Sequence, residues 1–514
     1  RGKHLRTMPH RGDFILGIID WLAIAGYACM MLAIGAFYSR KNKTAEDFLL
    51  GGRRMSPIAL GLSLFATMMS TLSYLAHPGE MIAHGPMLVT QCAAHPLIFV
   101  IVGYGLIPLL MRQPVTSAYE ILETRLGTGI RMAGASVFLL LRFAWMATIL
   151  FATSKVVLVP LLGCDPKWTP ILCVALGLPT ALSASVGGIR AVVWIDAIQS
   201  LTMLAGAIVT LLVITLRMGG VAEWWPQAWP THWQTPNWGF SPEARLSFGM
   251  LVLSTTLWYV CTNGSDQMSI QRFLSTRDAA AARKTMAVSQ ITDVLVSMLL
   301  ALTGVAILGF YRVHAPQSVT GDALAAGGGD QLFPKFIMTE MSGGLAGLVL
   351  AAILSAAISS LSSGLNSACA VLERDFLSRN SKQPGSDAAT DAATVVRLRW
   401  LTWLVAFVAI ALSVVNTFIT GNLLERCFKV INLWTAPLFV LFFLALFVKW
   451  ANATGAWLGL LSSIAVAVLV AYSKDLGFNL GVSFVWMMPC SLLVGIVVGT
   501  VGSALTQSGQ GSSR

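Results

Sequence analysis

Charge is scarce in this chain: of 514 residues, 11% are Asp, Glu, Lys or Arg while 56% are apolar, and the mean hydropathy is +0.73. Soluble domains carry about 25% charged residues, so this composition excludes an ordinary water-exposed globular protein. Cysteine pairing is also missing. Cys29, Cys92, Cys164, Cys173, Cys261, Cys369, Cys427 and Cys490 stand singly, without metal spacing or a disulfide framework, and are read as small packing residues. Hydrophilic stretches long enough for a soluble domain are absent as well, which speaks against a fused kinase or nucleotidase module. No channel-type pore-loop motif occurs.

What is present is a series of long apolar runs. Thirteen of them, near 16–38, 57–76, 86–110, 132–161, 169–186, 191–217, 246–264, 286–312, 343–370, 399–420, 424–448, 453–472 and 483–506, reach or approach the roughly 20 residues that cross a bilayer as a helix. The first is too long for a secretory signal, and Ser39-Arg40-Lys41-Asn42-Lys43 follows it in place of a small-residue cleavage site. An all-α polytopic membrane protein with the lipid bilayer as solvent is therefore expected.

The net charge of +11 does not imply nucleic acid, because basic residues of polytopic proteins gather in cytoplasmic loops. Arg40, Lys41, Lys43, Arg53 and Arg54, then Arg112, Arg125 and Arg131, then Arg272, Arg277, Arg283 and Lys284, then Arg374, Arg379, Lys382, Arg397 and Arg399 mark the inner loops. That places the amino terminus outside and the carboxyl terminus in the cytoplasm, for a protein of the plasma (inner) membrane. The basic leader, Arg1, Lys3, Arg6 and Arg11, runs against this assignment and is outweighed by the later loops. The Ser/Gly/Asp/Ala-rich stretch 378–394 is expected to be a flexible connector. Trp224, Trp225, Trp229, Trp233 and Trp238 make the loop 221–243 either an interfacial lid or a passive anchor.

The ninth run carries Ser355, Ser359, Ser360, Ser362, Ser363 and Asn366. Residues three and four apart share a helix face, so most of these form one polar stripe. Such a stripe serves either as a row of ligands or as a close-packing surface between helices. Asp196 lies six residues beyond Arg190, about 9 Å into the sixth run at 1.5 Å per residue, where an acid needs a partner. Arg142 lies near mid-depth of the fourth run. It stays charged there and must face a partner, a wet cavity or an anionic ligand.

Four motifs give these residues a context. They are Phe48-Leu-Leu-Gly-Gly-Arg-Arg leading to Gly61-Leu-Ser-Leu-Phe-Ala66-Thr-Met-Met69-Ser70 and Pro78-Gly79-Glu80; Tyr119-Glu-Ile-Leu-Glu-Thr-Arg125-Leu-Gly127; Gly187-Gly-Ile-Arg-Ala-Val-Val-Trp194-Ile-Asp196-Ala-Ile-Gln199; and the serines of the ninth run continuing to Asn366-Ser367 and Arg374-Asp375. In this order, the chain resembles the sodium/solute symporter family over nearly its whole length. The resemblance implies a leucine-transporter-like core of two inverted five-helix repeats, about 57–217 and 246–448, in a single transporter domain with peripheral helices 16–38, 453–472 and 483–506. The first helix of each repeat should be interrupted, near Ser70, Thr71 and Ser73 in one and within Thr262-Asn263-Gly264-Ser265 in the other, leaving ions and solute between the repeats.

Sodium, a hard monovalent cation, is satisfied by neutral oxygens. The resemblance implies a first sodium held by the carbonyls of Ala66, Met69 and Ala356 and the hydroxyls of Ser359 and Ser360. It implies a second held by Asp196, Ser362 and Ser363. The competing reading has Asp196 capping a helix or pairing with a base such as Arg190. For the solute, the resemblance places the Arg142 helix beside the cavity, as an anion clamp or a structural pair. Ser73, Tyr74, Gln91, Trp145 and Gln267, with Asp266, are further candidates by position.

The expected function is sodium-coupled symport of a small organic solute or anion by alternating access, with no enzymatic activity. A proton-coupled transporter of the same fold, or a transport-inactive sensor or scaffold, are the alternatives. Substrate identity and oligomeric state lie beyond the residues.

Overall fold

The computed structural model describes residues 17–39, 44–113, 115–241, 244–324, 328–341, 343–378, 388–417, 423–473, 476–477 and 486–511. The basic leader, Arg40, Lys41, Lys43, Arg379, Lys382 and most of the 378–394 connector lie outside the described residues. The described chain is all-helical. Ten helices are long and apolar enough to cross a membrane, eleven with a bent pair. The longest divides into two at Gly188, which brings the count among the described residues to twelve against the thirteen expected, and the remaining expected run, Phe248–Leu274, is less apolar and broken at Asp266.

In chain order these are α1 (Ile18–Ser39), α2 (Pro57–Met68), α3 (Thr71–His84), the helical stretch α4 (Pro86–Met111), α5 (Thr128–Leu162), α6 (Thr169–Met218), α7 (Phe248–Ser265) and α8 (Gln267–Leu274). They continue with α9 (Ala279–His314), the short α10 (Gly329–Glu340), α11 (Leu345–Leu377), α12 (Ala388–Asn416), α13 (Leu423–Phe447), α14 (Ala453–Tyr472) and α15 (Met487–Gly511). At Gly188 the backbone turns through φ 57° and ψ −167°. That conformation is nearly closed to residues with a Cβ, so glycine here lets one apolar stretch fold into two spans.

Helix α11 is the hub, buried along almost its whole length against α6, α5, α1 and α2. Small residues permit the approach: a Cβ at Gly347 would lie 2.6 Å from the Asp20 carbonyl. The Asp20 carboxylate accepts from the amides of Gly344 (2.7 Å) and Gly347 (2.8 Å). It thus caps the start of α11 from α1 and complements the helix dipole.

The two ends of the bundle differ. At one, Arg190 pairs with Asp47 (2.7 Å), Arg374 with Glu120 (2.9 Å), Arg397 with Glu373, and Arg131 with both Glu123 and Asp375 (2.7 Å to the latter). At the other lies the tryptophan loop, with Trp224 and Trp233 buried and Trp225, Trp229 and Trp238 exposed. The arginines that sequence assigns to loops are thus, in part, buried ties.

Candidate functional site

Both expected repeats open on a broken helix. α2 ends at Met68, Met69 and Ser70 are extended, and α3 leaves at 68° to α2. A helix end leaves its last carbonyls without intrahelical amides, and here these belong to the Ala66–Met69 turn. The second break comes one residue later than the expected Thr262–Ser265: α7 runs through Ser265, and Asp266 is the extended residue. Its side chain explains the position. The Asp266 carboxylate accepts from the Met268 amide (2.9 Å) and caps α8.

Helix α11 passes beside the first break. Ser360 donates to the Thr67 carbonyl (3.1 Å), and Thr71 donates back to the Ile353 carbonyl (3.0 Å). Ala66, Met69, Ala356, Ser359 and Ser360 are all buried. Among the described residues no three His, Cys, Asp or Glu side chains gather as a divalent-metal set. The donors at the break are neutral oxygens, the set that suits sodium.

The serine stripe divides into two roles. Ser355 donates to the Ala351 carbonyl (2.6 Å) and meets the Tyr27 hydroxyl (2.6 Å), and Ser362 donates to the Ser359 carbonyl (3.1 Å), which is helix-packing chemistry. Ser359 and Ser363 turn instead to Asp196, at 2.7 and 3.1 Å. Ser63 donates to the same carboxylate at 2.6 Å, and Arg272 at 2.9 Å.

The expected partner Arg190 is engaged with Asp47 and the Gly51 carbonyl. Arg272 completes a fully buried ion pair, and its guanidinium also donates to Ser63 (2.9 Å), Thr67 (2.6 Å), Ser363 (2.5 Å) and the Met268 carbonyl (2.7 Å). By its position in sequence Arg272 belongs with the inner-loop bases, and nothing in the sequence pattern marks Ser63 and Thr67. The available signal was its place four residues after Met268, on a helix that had already started inside the apolar region.

Arg142, on α5, pairs with Asp266 and points a second nitrogen at the Met268 sulfur (3.1 Å). It lines a small cleft of about 30 Å³ with Trp145, Trp258, Thr67, Thr262 and Thr435. Two buried polar atoms on that lining, Arg142 Nε and Thr262 Oγ1, have no hydrogen-bond partner among the described residues.

Of the other expected solute residues, only Trp145 reaches this cleft. Ser73 stays at the break, 3.1 Å from the Ser70 hydroxyl. Tyr74 is fully buried and donates to the Met203 carbonyl on α6 (2.9 Å). Gln91 meets His77 (3.1 Å). Gln267 clamps the 116–118 loop, accepting from the Ala118 amide (2.7 Å) and donating to the Thr116 carbonyl (3.1 Å).

The tryptophan loop is fastened to α3, the far half of the first broken helix. The Gln234 amide donates to the His84 carbonyl (3.2 Å), Trp233 to the Ile82 carbonyl (3.3 Å), and Arg245 grips Glu80 with both nitrogens. Asp330 of α10 closes over Gly79. Desolvation beside α3, and then the like charge of Glu80, push its carboxyl up to about 6 against the pull of Arg245. An acid raised by folding contributes stability that is complete below its unfolded value and lost as pH rises through the folded one. Wild-type thermal stability is therefore expected to decline slightly from pH 5 to pH 7 through this group, because the residue stays open to screening water. Asp330→Asn should remove that slope; an identical profile in both proteins would exclude Asp330 as its origin.

Comparison with known proteins adds four observations. The sodium:solute symporter family model matches residues 48–462. The chain is 28% identical over 471 residues to the sodium/sialic acid symporter of Proteus mirabilis, covering 90% of this chain and 91% of that one. It is 26% identical over 475 residues to the human sodium-coupled monocarboxylate transporter 1, covering 90% and 75%. A solved substrate-bound, outward-open Na+-coupled sialic acid symporter superposes with a TM-score of 0.82 at 25% identity, over 96% of this chain and 98% of the other.

Proposed function

The chain belongs to the sodium:solute symporter family, and from that premise we propose that it imports a small carboxylate-bearing solute, with sodium held at the α2–α3 break and the anion held by Arg142. It is an integral, multi-pass, sodium-coupled symporter and not an enzyme. We place the arginine-rich end in the cytoplasm, which puts the amino terminus outside.

The first sodium takes the carbonyls of Ala66, Met69 and Ala356 and the hydroxyls of Ser359 and Ser360. The meeting of Ser360 with the Thr67 carbonyl supports this, because it sets a hydroxyl of α11 against carbonyls that the break has released. One sodium entering gains about 2.3 kcal/mol per 100 mV and about 1.4 kcal/mol per tenfold gradient.

The second takes Asp196, Ser363 and Ser359, whose hydroxyls meet that carboxylate, while the expected Ser362 is turned to the Ser359 carbonyl. In this conformation the Arg272 guanidinium supplies the positive charge on Asp196. Sodium enters there as Arg272 withdraws, so occupancy is tied to the movement of α8.

The observation that carries the anion is the unpartnered Arg142 Nε beside the equally unpartnered Thr262 hydroxyl, both buried on one cleft lined with tryptophan. A buried donor without an acceptor costs about 1–3 kcal/mol, which a bound carboxylate recovers. Trp145 and Trp258 offer flat apolar faces to its carbon skeleton. The sialic acid and monocarboxylate named for the relatives are carboxylates, consistent with this chemistry.

Uptake of a pooled set of sialic acid, monocarboxylates, amino acids, vitamins and neutral sugars into proteoliposomes, with and without an inward sodium gradient, tests it. Carboxylates should be taken up and neutral sugars not. Arg142→Lys should lose roughly tenfold or more in apparent affinity, because a point charge does not reproduce the planar fork. Transport of neutral solutes alone, with Arg142→Gln still active, would dismiss the anion reading and leave Arg142 as the structural partner of Asp266.

A further inference from the structure

Gln267, expected at the solute, is engaged instead by a loop at the arginine-rich end of the bundle. Residues 116–119 lie between α4 and α5. The fully buried Gln267 side chain meets them at two points: Oε1 accepts from the Ala118 amide (2.7 Å) and Nε2 donates to the Thr116 carbonyl (3.1 Å). A backbone amide only donates and a backbone carbonyl only accepts, so these partners fix which way the side-chain amide points. On the other side of Asp266, the Ser265 carbonyl accepts from the buried Tyr119 hydroxyl (3.1 Å). The loop therefore grips the residue before Asp266 and the residue after it.

Asp266 is the hinge between the two grips. It is the extended residue where α7 ends and α8 begins, and its carboxylate is divided between the Met268 amide and Arg142. An extended residue with both neighbours anchored cannot change its backbone angles without pulling on one anchor or the other.

On its far side the loop is tied to the inner ends of α5 and α11. Ser117 donates to Asp375 (2.5 Å), which also accepts from Arg131 (2.7 Å), and Glu120 accepts from Arg374 (2.9 Å). Every amide from 116 to 119 is hydrogen-bonded: those of Thr116 and Ser117 to Glu120, that of Ala118 to Gln267, and that of Tyr119 to the Ser117 hydroxyl. Connecting segments normally run over the surface, where water serves such groups. This one is fastened by side chains of α5, α8 and α11.

We propose that Gln267 is the positioning residue that carries occupancy of the Arg142 cleft to the inner end of the protein, with residues 116–119 as the latch it holds shut, a role that rests on Arg142 being the anion site. A carboxylate arriving at Arg142 competes with Asp266 for the guanidinium. Asp266 swings, α8 tilts about the hinge, and Gln267 withdraws from the Thr116 carbonyl and the Ala118 amide. The inner ends of α5, α8 and α11 then part, and sodium and solute leave together. By reciprocity, the latched loop holds Asp266 on Arg142 and keeps the solute-free protein shut toward the cytoplasm.

Hydrogen exchange of the 116–119 amides in the purified full-length protein, with sodium and without solute, reads the latch directly. Gln267→Ala should speed that exchange by about tenfold or more, through loss of a buried two-point hydrogen bond. Asp266→Asn weakens the tie to Arg142 while keeping a side chain that caps α8, and should also speed it. Added to Gln267→Ala, it should have no further effect, because the signal has lost its carrier. Tyr119→Phe removes the other grip with a single hydroxyl and should act in the same direction, so the latch can be read even if Gln267→Ala fails to fold.

A purely structural tie would show only in exchange and stability. A latch also predicts that radiolabelled sodium enters proteoliposomes of Gln267→Ala or Tyr119→Phe without solute, about tenfold faster than wild type. Neither measurement contains a solute, so failure of the anion reading shows in the uptake screen alone. Wild-type exchange of the loop amides in Asp266→Asn, effects of Asp266→Asn and Gln267→Ala that simply add, or wild-type sodium entry in both latch variants would each overturn the proposal.

Discussion

Arg272→Met is expected to lower the unfolding free energy of the purified protein by about 3–5 kcal/mol, the cost of leaving one member of a buried ion pair alone. Asp196 has no exposed surface, and Ser63, Ser359 and Ser363 give it hydroxyls but no countercharge. The double variant, Arg272→Met with Asp196→Asn, should recover most of the loss, because paired removal replaces a charge problem by a packing one.

The same variant tests the second sodium. With the guanidinium gone, sodium becomes the available cation for Asp196, so sodium should raise the melting temperature of Arg272→Met more than that of wild type. Equal sodium responses in thermal unfolding would leave Asp196 as a structural acid. Wild-type stability in Arg272→Met would contradict the buried pair itself.

Ser359→Ala combined with Ser360→Ala should raise the half-saturating sodium concentration for uptake by tenfold or more, since each lost hydroxyl removes an ion ligand worth about 1–3 kcal/mol. The volumes removed are small, so the protein should remain abundant and membrane-inserted. Ser360 alone should affect the first ion. Ser359 should affect both, because its hydroxyl lies 2.7 Å from Asp196. Sodium titration of solute uptake at saturating solute checks this. Unchanged sodium affinity in the double variant would remove both serines from the site.

The helices, both breaks and Arg142 were legible because each is a local property: length and apolar content, a cluster of small polar residues in mid-span, a cation that cannot deprotonate. Pairings between distant segments were not. Asp196 and Arg272 are 76 residues apart in sequence, and the nearer Arg190 was the natural guess until the fold carried it to Asp47. Arg142 was seen to need a partner, yet Asp266 appears as that partner only when the extended residue at the break turns its carboxylate toward α5. Tyr74 and Gln91 turn to other partners than the Arg142 cleft for a related reason. Depth along a helix can be counted, whereas the direction a side chain takes depends on which neighbours pack beside it.

Joint measurement of radiolabelled sodium and solute fluxes, at fixed voltage in proteoliposomes, tests the central claim most directly. The predicted result is carboxylate accumulation that requires an inward sodium gradient, moves close to two sodium ions per solute, and falls toward one in Asp196→Asn. Equal accumulation after potassium replaces sodium, with the proton gradient held constant, would contradict it.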